Sequence, residues 1–384
     1  MIPIGKVHAA AIERTGLEDF GSRDYWQGLN VLVESLEIEA AMTATGRHAI
    51  TEIIIQALMG RLRAEAGLKA RPEAASSTIA RPLVIVGLPR TGTTALHQLM
   101  AASPHFQGLE LWLAEMPRPR PPRDQWDRIG DYTACRAKTD AIAEMDPERA
   151  AIHMQSAELV DECWNLLRQS FASVTFECLF RIPTYSAWWA ACDMGPAYAQ
   201  HRRSIGLIGV DEPDTCWLLK DPSHLFAPEA LFAAYPDANV VMTHRDPLKA
   251  VASVCSLTAV SRRGFEQHPD GIAHGREQTE LWARGIDRML AARAGRKDRF
   301  HDLHFSDFQA DPLGSVAAIC DRFGYPFDTA AERRMARWAA DHPRGEHGVH
   351  DYSPESYGLR AEDLNERFAR YIETCGVAVE QSVV

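Results

Sequence analysis

Three short apolar runs, LVIVG (83–87), WLLK (217–220) and NVVMTH (239–244), constrain this chain most, because each leads directly into a stretch of helical periodicity. LVIVG enters a glycine-containing turn and then TTALHQLMAAS. WLLK passes through Asp221-Pro222 into LFAPEALFAAY, and NVVMTH passes through Asp246-Pro247 into LKAVASVCSL. FHDLHF (300–305) repeats the arrangement ahead of Asp311-Pro312. An Asp that caps, followed by a Pro at the first helical position where its missing N–H costs nothing, starts a helix. Apolar strands each followed by a helix predict an α/β fold, with a parallel sheet covered on both faces and ligands bound beyond the carboxyl ends of the strands.

The rest of the chain reads differently. Residues 27–68 place apolar side chains at helical spacing and predict two helices, followed by the polar stretch KARPEAASSTIARP. The expected organisation is a helical N-terminal extension over 1–80 and an α/β domain over 81–375. A helical insertion at about 120–210 follows the loop PRPRPP (117–122) and is rich in Trp, Phe, Tyr and Leu. In it, His153, Glu158 and Asp161 near Trp164, Trp188 and Trp189 suit a pocket for a small hydroxylated acceptor, and core packing explains the same aromatics equally well.

Charge and cysteine usage narrow the partners. With 41 Lys and Arg against 52 Asp and Glu, the net charge of −11 argues against nucleic acid or an anionic membrane, so any anion site must be local. Eight scattered cysteines with no C-x-x-C pair read as reduced, mostly buried thiols, not as a zinc site. Residues 1–29 lack the apolar core of a signal peptide, and no apolar run has membrane-spanning length, so the expectation is a cytoplasmic chain without a membrane span.

The turn after the first strand, GLPRTGTT (87–94), keeps the glycine spacing of a P-loop, G-x-x-x-x-G-K-[ST], but has Thr93 where the lysine belongs. Pro89, Thr91, Gly92, Thr93 and Thr94 can offer N–H groups and hydroxyls to an anion at a helix start, with Arg90 supplying positive charge. A second anion pocket is expected where Arg245 ends a strand and Ser253 lies in the second turn of the next helix. Two pockets on one sheet edge imply a ligand with two separated phosphates.

Together, PRTGTT (89–94), LKDPSHL (219–225) and VVMTHRDPLKAVASV (240–254) resemble the PAPS-dependent sulfotransferase superfamily, including its tyrosylprotein branch and a group of bacterial members. That resemblance implies a P-loop-type sheet whose first loop holds the 5′-phosphosulfate of 3′-phosphoadenosine-5′-phosphosulfate (PAPS). An Arg and a Ser eight residues apart, here Arg245 and Ser253, would hold its 3′-phosphate. It further implies that Lys220 stabilises the transferring sulfuryl group with help from Arg90. The missing loop lysine is consistent with this, because the transferred group carries less charge than a γ-phosphoryl and the need for Mg²⁺ is relaxed.

Two residues are candidates for the base that the incoming hydroxyl requires. Glu110 lies sixteen residues after Thr94, the separation at which the tyrosylprotein enzymes place their catalytic Glu. His224, four residues after Lys220, has a side chain suited to proton transfer near neutral pH. The Lys-Thr-His type motif of the cytosolic small-molecule enzymes is not found. The loop 342–359, with Arg344, His347, His350 and Tyr352, resembles the loop that closes over the donor, where Arg344 would reach the 3′-phosphate; no metal is expected there. The expected activity is sulfuryl transfer from PAPS to a hydroxyl of a small-molecule acceptor, phenolic or an apolar alcohol. The alternatives are a P-loop kinase or NTPase with a degenerate lysine and a nucleotide-binding protein that has lost its chemistry.

Overall fold

The computed structural model describes residues 2–147, 155–267, 269–342 and 353–379. The chain gathers into two compact units. One comprises Met1–Ile79, Leu109–Asp214 and Val260–Pro269; the other comprises Ala80–Gly108, Thr215–Ala259 and Asp270–Val384.

The second unit carries the sheet. Its five strands are β1 (Leu83–Gly87), β2 (Phe106–Gln107), β3 (Cys216–Lys220), β4 (Asn239–His244) and β5 (Phe300–His304), in the order β2-β3-β1-β4-β5. Every pairing is parallel, with Leu83 opposite both Leu218 and Asn239. β1 and β4 are buried along their whole length, which requires the unbroken apolar runs seen in the sequence. On one face, Leu83, Ile85, Leu218, Val241 and Leu303 pack against Leu96, Met100, Val316 and Ile319.

The Asp-Pro pairs behave as capping chemistry demands. The carboxylates of Asp221, Asp246 and Asp311 accept from the backbone N–H of Ser223 (2.7 Å), Leu248 (2.8 Å) and Gly314 (2.9 Å). Asp246 and Asp311 open the helices Pro247–Arg262 and Pro312–Phe323. Asp221 instead opens the short 3₁₀ turn Pro222–Phe226, and the expected helix begins only at Pro228. The edge strand β2 has two residues, too few to leave a periodic pattern in the sequence.

The first unit is helical. Residues 27–38 and 44–68 fall in the helices Tyr25–Ile38 and Ala44–Ala70, and the expected insertion supplies Gly130–Met145, Pro183–Ala191 and Gly195–Ile208 among others. The helix Ile4–Thr15 was not anticipated from the residue pattern. Buried Arg61 ties this unit together, donating to the carbonyls of Phe20 and Ser22 (both 2.7 Å) and to Asp24 (2.9 Å). Pairing of Nε and Nη2 makes this buried guanidinium tolerable, while its buried Nη1 has no hydrogen bond.

Where β1 runs into its loop, Gly87 has φ +152°, and a Cβ there would stand 2.3 Å from Thr243 Oγ1 and 2.6 Å from its carbonyl oxygen. The neighbouring atoms belong to a buried strand and cannot yield. Gly87→Ala is therefore expected to cost about 1–3 kcal/mol of stability, visible as a lower midpoint in urea unfolding.

Candidate active site

The loop between β1 and the helix Thr93–Ala101 is fixed from beneath. Thr91 Oγ1 donates to the Leu88 carbonyl (2.7 Å) and meets Thr243 Oγ1 at 2.5 Å, while Thr243 Oγ1 donates to the Val86 carbonyl at 3.2 Å. The helix begins at Gly92, φ +90°, with no side-chain cap and no acidic residue in its first turn. Its first N–H groups thus lack the usual side-chain acceptor, the arrangement that suits an anion.

Arg90 has φ +69°, an unfavourable conformation for a residue with a Cβ that costs about 1–3 kcal/mol and persists only where surrounding contacts enforce it. Those contacts are explicit. Its carbonyl accepts from Arg245 Nη1 (3.1 Å), and its Nε donates to Ser253 Oγ (3.2 Å). The Arg245 guanidinium lies 4.4 Å from the Phe305 ring centroid, and its buried Nε makes no hydrogen bond. A fixed cation with an unused, desolvated donor fits an oxyanion ligand. Lys220, 1 % exposed at the end of β3, reaches the same loop through Nζ, which donates to Thr94 Oγ1 at 3.0 Å. Arg90, Thr91, Gly92, Thr93, Thr94, Lys220, Arg245 and Ser253 are thereby brought together within one unit.

His224 belongs to that unit and is fully buried in the turn after β3. Glu110 belongs to the helical unit, where it opens the helix Leu111–Glu115 and forms an isolated bridge with Val160. Its carboxylate accepts from Arg120 Nε (3.2 Å), and Arg120 Nη1 reaches Glu212 (3.0 Å). Burial raises the Glu110 carboxyl above the ordinary range against the opposing pull of Arg120. Glu158 in the same unit pairs with Arg123 (2.7 Å) and accepts from the Tyr132 hydroxyl (2.5 Å). Trp188 lines a cavity of about 480 Å³ with Asp24, Gln27, Ser170 and Asp193, while Trp189 is buried. Arg344, His347, His350, Tyr352 and His153 lie outside the described residues.

Residue patterns alone missed a supporting layer. His244, the last residue of β4, sets Nε2 against Asp302 (2.7 Å) and Nδ1 against the Tyr371 hydroxyl (3.2 Å). Burial pushes His244 toward the neutral form, and Asp302, despite its own burial, is held well below the carboxylate range by His244 and Arg293. An ionised carboxylate can only accept, so Nε2 of His244 donates to Asp302. The Tyr371 hydroxyl also accepts from the backbone of Arg245. His97, on the helix that follows the loop, is pulled down to about 3 by burial and then by the Lys220 charge, against a backbone hydrogen bond to Leu218. The sequence signal for these partners is weak, because they join residues 58 and 127 positions apart.

The model of the sulfotransferase family matches residues 82–329, and the chain belongs to that family. Among solved structures it is similar to the sulfotransferase STF1 from Mycobacterium tuberculosis H37Rv, at 39 % identity and TM-score 0.88, covering 96 % of this chain and 98 % of that one. Sulfotransferase STF9 from Mycobacterium avium aligns at 27 % identity and TM-score 0.90, over 99 % and 98 % of the two chains. The omega-hydroxy-beta-dihydromenaquinone-9 sulfotransferase Stf3 of Mycobacterium bovis is 23 % identical over 321 residues, 77 % of this chain and 75 % of its own length. The corresponding Stf3 of Mycobacterium tuberculosis strain CDC 1551 aligns with the same figures.

Because His97 is neutral when folded and takes up a proton near its ordinary value of 6.5 when unfolded, the unfolded state binds more protons between about 6.5 and 3. Stability is lost as the pH falls through that window, with a slope of about 1.4 kcal/mol per pH unit from this residue. In His97→Asn the acid-side decline in unfolding free energy should be shallower than in the parent by about that slope.

Proposed function

We propose that this sulfotransferase moves the sulfuryl group of PAPS to a hydroxyl of a small-molecule acceptor. The observation that carries the reading is the cation cluster of Arg90, Lys220 and Arg245 gathered around an uncapped helix start. In this reading the N–H groups and hydroxyls of residues 91–94 take the 5′-phosphosulfate, and Arg245 with Ser253 takes the 3′-phosphate, with Arg344 assigned to the same phosphate. The spare Nε of Arg245 and the hydroxyl of Ser253, already oriented by Arg90, support that division.

The donor supplies an electrophilic sulfur whose leaving group is a phosphate. The acceptor oxygen forms a bond to sulfur, the sulfur–oxygen bond to the 5′-phosphate breaks, and the hydroxyl proton passes to the base. In this reading Lys220 and Arg90 offset the negative charge that builds on the phosphate side. Glu110 is the preferred base, since a carboxyl raised above its ordinary range is better matched to taking a proton near neutral pH. His224 is the second choice, because it is 0 % exposed. The acceptor assigned is an apolar alcohol or phenol, supported by the omega-hydroxylated quinone in the name of the related Stf3. None of the eight cysteines, all of them described, forms a disulfide, which supports a cytoplasmic location.

Calorimetric titration with 3′-phosphoadenosine-5′-phosphate and with ATP, each with and without Mg²⁺, tests the donor. Tight metal-independent binding of the bisphosphate is expected, whereas Mg²⁺-dependent ATP binding alone would favour a kinase or NTPase. Arg245→Ala should weaken the bisphosphate far more than adenosine 5′-phosphosulfate; equal losses would remove its 3′-phosphate role. With labelled PAPS and a panel of a prenyl alcohol, a simple phenol and a tyrosyl peptide, Lys220→Ala should lower kcat by roughly 10²–10³-fold with donor affinity nearly unchanged. Donor binding without turnover of any acceptor would mark a protein that has lost its chemistry.

A further inference from the structure

Arg120 lies in the proline-rich loop 117–122, a stretch whose sequence suggests only a connector. Its surroundings are more specific. The backbone N–H donates to the Ile208 carbonyl at 2.9 Å, fixing the loop to the end of the helix Gly195–Ile208. The guanidinium, 10 % exposed, forks between two acids: Nε and Nη2 lie 3.2 Å from Glu110 Oε2, and Nη1 lies 3.0 Å from Glu212 Oε2. Glu110 is 16 % exposed and Glu212 is 47 % exposed, so one cation faces a sheltered carboxylate on one side and a solvated one on the other.

The remaining charged groups around this point are engaged elsewhere. On the segment that bridges to Glu110 at Val160, Glu158 is held by Tyr132 and Arg123, and Asp161 accepts from the Glu162 N–H and the Asn165 amide. Glu115, at the far end of the helix that Glu110 opens, pairs with Lys138. Among the described residues, the charged groups with the largest effect on the Glu110 carboxylate are Arg120, which favours its ionised form, and Glu212, which opposes it.

We propose that Arg120 is a positioning residue, a fork that orients the Glu110 carboxylate and, through Glu212, sets the pH at which that carboxylate can accept a proton. The inference rests on the reading of Glu110 as the base. An arginine suits the task because its planar fork fixes direction as well as charge, which an ammonium cannot do. The two partners must act with opposite sign. Removing Arg120 leaves a sheltered carboxylate without its counter-charge and moves its titration to higher pH; removing the Glu212 charge relieves repulsion and moves it to lower pH.

The test uses the full-length chain with glutamate carboxyls labelled with carbon-13, the Glu110 signal being assigned by its loss in Glu110→Gln. Its titration is compared in the parent, Arg120→Met and Glu212→Gln, beside the pH dependence of kcat/KM with labelled PAPS and a prenyl alcohol. The expected result is displacement of the titration and of the acid limb to higher pH in Arg120→Met and to lower pH in Glu212→Gln. kcat should fall roughly tenfold to a hundredfold in Arg120→Met, with donor KM unchanged. Arg120→Lys should restore the acid limb but not kcat, separating charge from orientation. If Arg120→Met does not fold, the exposed substitution Glu212→Gln still decides the sign. A Glu110 titration that stays in place in Glu212→Gln, or shifts the same way in both variants, overturns the fork. Undiminished kcat in Glu110→Gln overturns the base assignment instead, whatever the titration shows.

Discussion

The loop after β1 is fixed because its underside is bonded to β4 and the residue that follows it. Gly87 lets the Thr243 side chain come within a distance that any Cβ would block. Thr243 then meets the hydroxyl of Thr91, and two residues further along β4's chain Arg245 takes the Arg90 carbonyl. The helix start at Gly92 and Thr93 has no side-chain cap, so its first N–H groups lack that acceptor. The left-handed conformation of Arg90 is the cost of that arrangement and is held in place by the same bonds.

Electrostatics explain how an acidic chain accommodates an anion site. The overall charge of −11 would repel a multiply charged ester at long range, but salt screens such fields beyond about 10 Å. What matters locally is that Lys220, Arg90 and Arg245 are fixed by the Thr94 hydroxyl, the Ser253 hydroxyl and a main-chain carbonyl. None of those three contacts cancels a positive charge. Glu110 shows the opposite design, a carboxylate whose charge is partly answered by a guanidinium while burial raises its proton affinity.

The parts of this fold legible in the sequence are those governed by local rules. Wholly buried strands demand unbroken apolar runs, and Asp-Pro starts announce themselves, so β1, β3, β4, β5 and the helices begun at Pro247 and Pro312 are legible, whereas the short helix Phe305–Ala310 directly after β5 is not. Asp221 misled because its cap closes a 3₁₀ turn equally well, which leaves Pro228 to begin the helix. β2 has no pattern to read because its two residues are placed by pairing with Cys216 and Trp217. The cluster around residues 90–94 was visible as three separate motifs. That Arg90 would clasp both Ser253 and Arg245 was not, since those contacts span 163 and 155 residues. The His244–Asp302–Tyr371 layer and the Arg120 fork were hidden for the same reason: no local rule relates a strand's last residue to a distant helix, or a proline-rich connector to two glutamates.

Thr93 stands where the pattern G-x-x-x-x-G-K-[ST] has its lysine, and a lysine from the neighbouring strand reaches the same loop. Lys220 pairs in register with Ile85 on the neighbouring strand and extends its ammonium to Thr94. A lysine on the loop moves with that loop and serves whatever phosphate sits in it. One carried at the tip of an adjacent strand approaches from the side, at a position set by the sheet. In the proposed reaction the phosphate in the loop is the leaving group and never the group transferred. A charge fixed beside the loop can favour the breaking sulfur–oxygen bond over the resting ester, whereas a charge within the cradle would stabilise donor and product alike.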